Sequence, residues 1–183
     1  MIAKLITLSL AVIIVVTGGV CLQVWHFVKT PAHSEKKEIL FEIQSGEGLR
    51  KISTKLQEDG LIKSSLFFEV YVRAFHPGVK IKMGEYQLFT DMNPAQIFSV
   101  LVSGKSFERT FTVAEGLNIY DIADLFESKG YGKKNEFLEL CANRKFIFSL
   151  LKEDLPSLEG YLFPETYHIT KYTDERTLIQ QMV

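Results

Sequence analysis

The stretch FEIQSGEGLRKISTKL at residues 41–56 decides the fold, because the same pattern returns as FTVAEGLNIYDIADLF at residues 111–126. Each copy opens with apolar residues at alternate positions, continues through glycine, and then places apolar residues at helical spacing. Eight positions match at a constant offset of 70, namely Phe41, Ile43, Gly46, Leu49, Ile52, Leu56, Gly60 and Phe67 with Phe111, Val113, Gly116, Ile119, Ile122, Phe126, Gly130 and Phe137. This constant offset indicates an internal duplication.

Each copy predicts a short strand followed by two helices. In the first copy Gly60 ends the first helix, and Ser64 or Ser65 is expected to cap the second. In the second copy Asn135 is expected to take that capping place. The second helix of the first copy is expected to carry the core residues Leu66, Phe67, Val70 and Phe75; that of the second copy carries Phe137, Leu138 and Cys141.

Each copy then closes with a strand and a further helix. In the first copy the strand covers residues 84–89, and Asn93, Pro94 and Gly104 bracket the helix. The matching residues of the second copy lie 81 positions after their counterparts and include Tyr167, Ile169, Asp174, Leu178, Ile179 and Met182, with Asp174 as the expected N-cap. Because the offset grows from 70 to 81, 11 residues are inserted in the second copy.

The N-terminal segment predicts a membrane anchor. Leu5 to Val28 contains 24 residues without a formal charge, about 36 Å as a helix, which is enough to cross a hydrocarbon core. Trp25 lies near its end, where an amphipathic ring suits the interface. The prediction places residues 1–4 in the cytoplasm, residues 5–28 in the membrane and a linker at residues 29–38.

Two alternatives to a retained anchor are a cleaved signal peptide and a lipoprotein. The apolar run is longer than a usual signal-peptide core, and no small-x-small site follows it. Residues 17–21 weakly resemble a lipoprotein box, but Val20 before Cys21 fits poorly. Lysines flank both ends of the run, so the positive-inside rule does not decide the orientation. The predicted fold class is α+β, with one transmembrane helix and two related modules at residues 39–106 and 107–183.

Composition excludes several classes of partner. The chain has 183 residues and a net charge of -1, so it lacks the basic excess expected of a nucleic-acid-binding protein. Its four His and two Cys show no spacing typical of a metal site, and we expect no metal and no cofactor. Cys21 and Cys141 are expected on different sides of the membrane surface and therefore should not form a disulfide.

The inserted part of the second copy is the candidate site. Residues 157–167, SLEGYLFPETY, combine two carboxylates with three aromatic rings. Aromatic faces can stack on sugar rings, and carboxylates accept hydrogen bonds from hydroxyls. The candidates for contact with substrate are Glu159, Tyr161, Phe163, Glu165 and Tyr167. The alternative is a rigid loop that packs its aromatics, with Glu159 or Glu165 capping a backbone turn.

Residues 158–167, LEGYLFPETY, resemble the LEGYLFPDTY signature of the YceG-like endolytic murein transglycosylases, the MltG family. Three further stretches agree with the family in order, namely residues 60–62, residues 82–86 and residues 111–116. The resemblance covers essentially the whole chain. Glu165 stands where the family usually has Asp.

The resemblance implies a single-pass protein of the bacterial plasma membrane, with its folded part outside the cytoplasm. Residues 39–106 would be a LysM-like module that binds glycan, and residues 107–183 would begin the catalytic domain. The implied reaction cleaves the bond between N-acetylmuramic acid and N-acetylglucosamine in nascent peptidoglycan strands and leaves a 1,6-anhydro end. A carboxylic acid must protonate the leaving oxygen, and no cofactor is required. The implied partners are peptidoglycan strands, the lipid bilayer and cell-wall synthesis enzymes.

The family's catalytic glutamate lies in a later helix, in an Ala-Ser-Ile-Ile-Glu-x-Glu context that does not occur here. We therefore expect no catalytic residue within the chain, and we expect the chain to be the N-terminal part of a longer protein. A catalytic role for Glu159 or Glu165 is the alternative. Two other functions remain open, a non-catalytic module that binds peptidoglycan at the membrane and a module that contacts the cell-wall machinery.

Overall fold

The computed structural model describes Val15, Gly18, Gly19 and residues 22–183. It divides into two compact units, one ending at Ser106 and the other comprising Phe107–Val183. Both units mix helices with a two-stranded antiparallel sheet. The predicted α+β fold class is therefore confirmed.

The first unit contains five elements after its N-terminal residues. They are β1 (Glu38–Ile43), α1 (Leu49–Glu58), α2 (Ser65–Phe75), β2 (Gly84–Phe89) and α3 (Pro94–Ser103). The predicted capping of α3 is confirmed. The Asn93 side chain accepts a hydrogen bond from the backbone N–H of Gln96, and Gly104 ends the helix with a left-handed φ of 69°.

The second unit repeats this order and adds one helix. Its elements are β3 (Arg109–Thr112), α4 (Ile119–Ser128), α5 (Lys134–Cys141), α6 (Arg144–Leu151), β4 (Thr166–Ile169) and α7 (Glu175–Met182). The predicted cap of α7 is confirmed, because the Asp174 side chain accepts from the N–H of Thr177 at 2.8 Å. The prediction did not foresee α6, which lies between α5 and the signature residues.

The strand pairing reproduces the duplication. In the first unit Phe41 of β1 faces Tyr86 of β2, and in the second unit Phe111 of β3 faces Tyr167 of β4. The first residues of these pairs are 70 positions apart and the second residues are 81 apart, as the sequence offsets require. The two units are therefore two copies of one architecture with the same sheet register.

The helix faces differ from the prediction at α2. Phe68 and Val72 are the buried apolar residues of this helix, whereas Leu66 and Phe75 are exposed and Val70 lies at the edge of exposure. Leu66, Val70 and Phe75 were therefore wrong as core residues. The apolar residues surround α2 almost completely, so spacing alone did not select the face that is buried in the core.

The predicted cap of α5 is also wrong. The N-cap position is Lys133, and no side-chain hydrogen bond caps this helix; Asn135 lies within its first turn. The acidic Glu136 in the first turn and the Lys133 ion pair with it, at 2.6 Å, stabilise this end instead.

The predicted membrane span at residues 5–28 lies for the most part outside the described residues. Residues 22–29 are helical, and we refer to them as the N-terminal helix. Across the part of the chain that the structure describes, no helix is long and apolar enough to cross a membrane.

Residues 30–38, for which the sequence indicates a tether, are ordered along the first unit. The Thr90 hydroxyl donates to the carbonyl of Glu35 and accepts from the N–H of Lys37, and the N–H of His33 donates to the Thr90 carbonyl. This segment is therefore held against the end of β2 at His33, Glu35 and Lys37.

Candidate functional site

The signature loop, residues 157–165, is fixed to three separate elements of the second unit. The side chain of Leu158 is fully buried, and its N–H donates to the carbonyl of Cys141 at the end of α5. The N–H of Phe163 donates to the carbonyl of Met182 in α7, and the carbonyl of Glu165 accepts from Val113 after β3. The loop is therefore a rigid part of the unit.

A turn at the centre of the loop presents the first carboxylate. The N–H of Tyr161 donates to the carbonyl of Leu158 at 3.0 Å, and Gly160 between them has a φ of 80°. A side chain at position 160 would be strained in this left-handed conformation. The glycine of the signature is therefore required by the turn.

The Glu159 carboxylate lies at the N-terminus of α4. Its Oε2 accepts a hydrogen bond from the backbone N–H of Ile119 at 3.1 Å, while the Asn118 side chain accepts from Tyr120 and Asp121. The first N–H groups of a helix need such acceptors, and an anion is favoured at this end. Glu159 thus connects the signature loop to α4.

The aromatic residues of the loop differ in accessibility. Phe163 is 63% exposed and Tyr161 is 38% exposed, although the backbone of both is hydrogen-bonded. Rigid backbone with exposed rings is the arrangement expected of a surface that stacks on a ligand. Glu165 is also exposed, and its side chain is available to solvent.

Tyr167 has a structural role that the first unit repeats. Its side chain is buried, and its hydroxyl donates to the carbonyl of Phe163, four residues earlier. Tyr86 does the same in the first unit, donating to the carbonyl of Lys82, also four residues earlier. Because the first unit lacks the inserted loop, this tyrosine belongs to the duplicated module, and we give it a packing role.

Cys141 lies under the loop. Its side chain is fully buried, and burial raises the pKa of its thiol to about 12, with a smaller contribution from the Glu159 charge. Within the described residues Cys141 is a free cysteine. The thiol is therefore a packing group rather than a nucleophile.

Sequence reasoning missed the donor that holds the Glu159 carboxylate, the backbone N–H of Ile119 at the N-terminus of α4. The residues Asn118 and Asp121 form a reciprocal capping box, which is a local signal that could have located the helix start. It also missed Tyr120, an exposed ring one position after Ile119. Tyr120 lies beside the contact made by Glu159 and joins Tyr161 and Phe163 as an exposed aromatic residue of this region.

No metal site accompanies these residues. Among the residues that the structure describes, no group of three or more His, Cys, Asp and Glu side chains is arranged to hold a metal ion. What the site offers is a fixed carboxylate, a second exposed carboxylate and exposed aromatic rings.

Replacing Glu159 with alanine is expected to lower the free energy of unfolding by about 0.5–2 kcal/mol, the usual effect of losing a cap. The Glu159→Gln variant keeps an acceptor oxygen and should lose less. Amide hydrogen exchange should become faster at Ile119 in the alanine variant. Glu165→Ala is the matched control, because it removes a carboxylate from the same loop and keeps the backbone carbonyl that accepts from Val113. Unchanged exchange at Ile119 would show that the Glu159 contact does not hold this terminus.

Replacing Tyr86 or Tyr167 with phenylalanine removes a buried hydroxyl. Each change is expected to destabilise the protein by about 1 kcal/mol through loss of one hydrogen bond. Burial raises the pKa of Tyr86 and Tyr167, with Glu165 adding to the effect at Tyr167. The folded state thus favours the neutral phenols, so stability should hold below about pH 10 and fall as the pH rises further.

Urea denaturation of Tyr86→Phe and Tyr167→Phe at neutral and alkaline pH tests this expectation. Each variant should be less stable than the parent at neutral pH and should lose less stability on alkalinisation. Tyr120→Phe is the control, because its ring is exposed. If the control changed the alkaline profile as much as the two variants, the buried phenols would not be its cause.

The comparisons with known proteins agree with one another. The model of the YceG-like family matches residues 41–183. An endolytic murein transglycosylase of Streptococcus pneumoniae is 29% identical over 175 residues, which cover 82% of this chain and 32% of that protein. An endolytic murein transglycosylase of Bacillus subtilis is 25% identical over 183 residues, covering 92% of this chain and 49% of that protein.

A crystal structure of a YceG-like protein from Listeria monocytogenes is also similar, with 28% identity, a TM-score of 0.44, and coverage of 81% of this chain and 53% of that chain. The chain thus spans between about a third and a half of the length of these relatives. The family match includes both units from Phe41 onward and the whole signature loop. The chain therefore belongs to the YceG-like family.

Proposed function

We propose that this chain is the N-terminal part of an endolytic peptidoglycan lytic transglycosylase. The observation that carries the proposal is the alignment of the chain, signature loop included, with relatives named endolytic murein transglycosylase. The substrate would be the nascent glycan strand. Cleavage between N-acetylmuramic acid and N-acetylglucosamine would leave a 1,6-anhydro terminus and would stop elongation of the strand.

Within this proposal the signature loop lines the glycan site. Its exposed rings, Tyr161 and Phe163, supply faces for the sugar, and the exposed Glu165 can accept a hydroxyl hydrogen bond. Glu159 is already engaged with the N–H of Ile119 and serves to position the loop. We assign the general acid to a part of the family's fold outside these 183 residues.

Release of 1,6-anhydro muropeptides from purified peptidoglycan tests the enzymatic proposal. The 183-residue chain is expected to release none, whereas a longer product of the same gene, if it contains the family's glutamate, is expected to release them. In that product, Tyr161→Ala with Phe163→Ala should reduce cleavage, and Leu40→Ala on the other unit should not. Anhydro product from the 183-residue chain would place the acid within it.

The second candidate function is glycan binding without cleavage, which a groove in the first unit favours. The groove has a volume of about 350 Å³ and lies between the turn before α1, at Gly46 and Glu47, and the segment before β2, at Val79, Lys80 and Ile81. Lys51 and Lys55 contact the Glu47 carboxylate at 3.0 and 3.2 Å, which fixes one wall. This groove would be the binding site of the LysM-like module.

Retention on insoluble peptidoglycan tests this second function in the 183-residue chain. Val79→Asp should abolish retention, and Leu40→Asp, an exposed apolar position on the outer face of β1, is the matched control. Retention of the Val79 variant equal to that of the control would exclude the groove as the binding site. No retention of the unsubstituted chain would end the glycan-binding proposal and leave a contact with cell-wall synthesis enzymes as the remaining non-catalytic function.

We also propose that the apolar run at residues 5–28 anchors the protein in the plasma membrane, with both units outside the cytoplasm; three of its last residues, Val24, Phe27 and Val28, pack in the core of the first unit. The support is the length and apolar character of the run in the sequence. Protease accessibility of the two units in intact spheroplasts tests the orientation. Digestion of both units without lysis is the expected result, and protection of both would place them inside.

A further inference from the structure

The N-terminal helix packs into the core of the first unit. Val24, Phe27 and Val28 are buried there, and the rings of Phe27 and Phe67 lie 5.6 Å apart. The segment that follows is held along the unit at Thr90. No flexible linker therefore separates the apolar run at residues 5–28 from the first unit.

Apolar grooves lie on both flanks of this helix. One, of about 620 Å³, is formed by Leu22 and His26 with Lys63 and Phe67 near the start of α2. The other, of about 370 Å³, is formed by Trp25 with Tyr71 and Phe75 near the end of α2. Since opposite flanks of one helix meet opposite ends of the other, the N-terminal helix crosses α2 rather than running along it.

Large apolar side chains are exposed around this crossing. Leu22 is 71%, Trp25 is 60% and Leu66 is 65% exposed, and Val70 is exposed one helical turn after Leu66. Leu66 and Val70 share one face of α2 because residues four apart are neighbours on a helix. Such a concentration of exposed apolar surface marks a contact surface.

Two cations border the apolar surface. The Lys29 ammonium lies 4.1 Å from the centre of the Trp25 ring, and Lys63 lines the first groove. A tryptophan beside a lysine at the end of an apolar run is the arrangement that suits the headgroup level of a bilayer.

We propose that the first unit lies on the lipid bilayer, with α2 in the plane of the interface and its Leu66–Val70 face toward the acyl chains. This inference rests on the proposed membrane anchor and extends it from the N-terminal segment to a folded surface. The occupant is lipid because the apolar run ends within this surface, so membrane and α2 meet at the same level. A helix that turns exposed apolar side chains toward an interface is held there by the apolar area that it buries.

The test uses the full chain in nanodiscs that contain bromine-labelled phosphatidylcholine, which quenches nearby tryptophan. The protein has a single tryptophan, Trp25, which reports on the anchor itself. In a Trp25→Phe background, Leu66→Trp and Val70→Trp report on α2. Leu40→Trp is the control, because Leu40 is exposed on the face of β1 opposite the buried Phe41 and Ile43.

The Leu66→Trp and Val70→Trp variants are expected to lose most of their fluorescence, to an extent similar to that of Trp25 in the parent, and the Leu40→Trp variant to lose little. If only Trp25 is quenched, the anchor stands and the docking of the first unit is overturned. If Trp25 is not quenched either, the proposed membrane anchor is contradicted, and the docking of the first unit with it. Equal quenching of all positions would show general association with lipid and would also overturn the proposed orientation.

Discussion

Replacing Phe126 with alanine is expected to lower the free energy of unfolding by about 3–5 kcal/mol, the usual cost of a large cavity in a packed core. The Phe126 side chain is fully buried in the second unit. Its ring centre lies 5.7 Å from that of Phe111, 6.1 Å from Tyr131 and 6.0 Å from Phe137. The variant therefore loses both buried area and three aromatic contacts.

Urea denaturation followed by far-ultraviolet circular dichroism measures this loss. Leu56→Ala, at the matching position of the first unit, is also fully buried and should cost about 2–5 kcal/mol. Tyr120→Ala, on the exposed side of the same helix as Phe126, should change stability by no more than about 0.5 kcal/mol. Equal effects of Phe126→Ala and Tyr120→Ala would contradict the assigned core.

The Cys141 thiol is expected to react about 1000-fold more slowly with a disulfide reagent in the folded protein than a free cysteine does. Burial raises its pKa from 9.0 to about 12. A pKa higher by one lowers the fraction of reactive thiolate at neutral pH tenfold. Steric protection adds to this effect because the side chain is fully buried. The folded state favours the thiol form, so this contribution to stability is present below about pH 9 and declines as the pH rises.

The rate of reaction with a chromogenic disulfide measures the prediction in a Cys21→Ser background, which leaves one cysteine. Reaction should be fast in concentrated urea and at least about 1000-fold slower without it. A Glu159→Gln variant removes the smaller electrostatic contribution and should react slightly faster. Rapid reaction of the folded parent would show that the signature loop opens readily above Cys141.

Much of the fold could be predicted because its signals are local. The offset of 70 between the copies anticipates α1 and α4, whose bounds differ by that number at both ends. Caps at Asn93 and Asp174 depend on atoms only three residues away. Apolar residues alternate along β1 and β2. When the two strands pair, this alternation places Phe41 opposite Tyr86.

The face of α2 could not be predicted in the same way. Apolar residues occupy Leu66, Phe67, Phe68, Val70, Tyr71, Val72 and Phe75, so the helix has no single apolar stripe. Phe68 packs against Phe98 of α3, and the N-terminal helix lies beside Phe67. Only these neighbours select the buried face, and they leave Leu66 exposed.

The sequence by itself determined the duplication, the α+β class, the helix ends at Asn93, Gly104 and Asp174, and the signature that identifies the family, because each is encoded in short-range spacing. The tertiary structure alone decided what the signature residues do. Glu159 meets Ile119 across 40 residues, Phe163 meets the end of α7, and Tyr167 turns inward to repeat the bond made by Tyr86. These contacts depend on how distant elements pack, and no local periodicity contains that information.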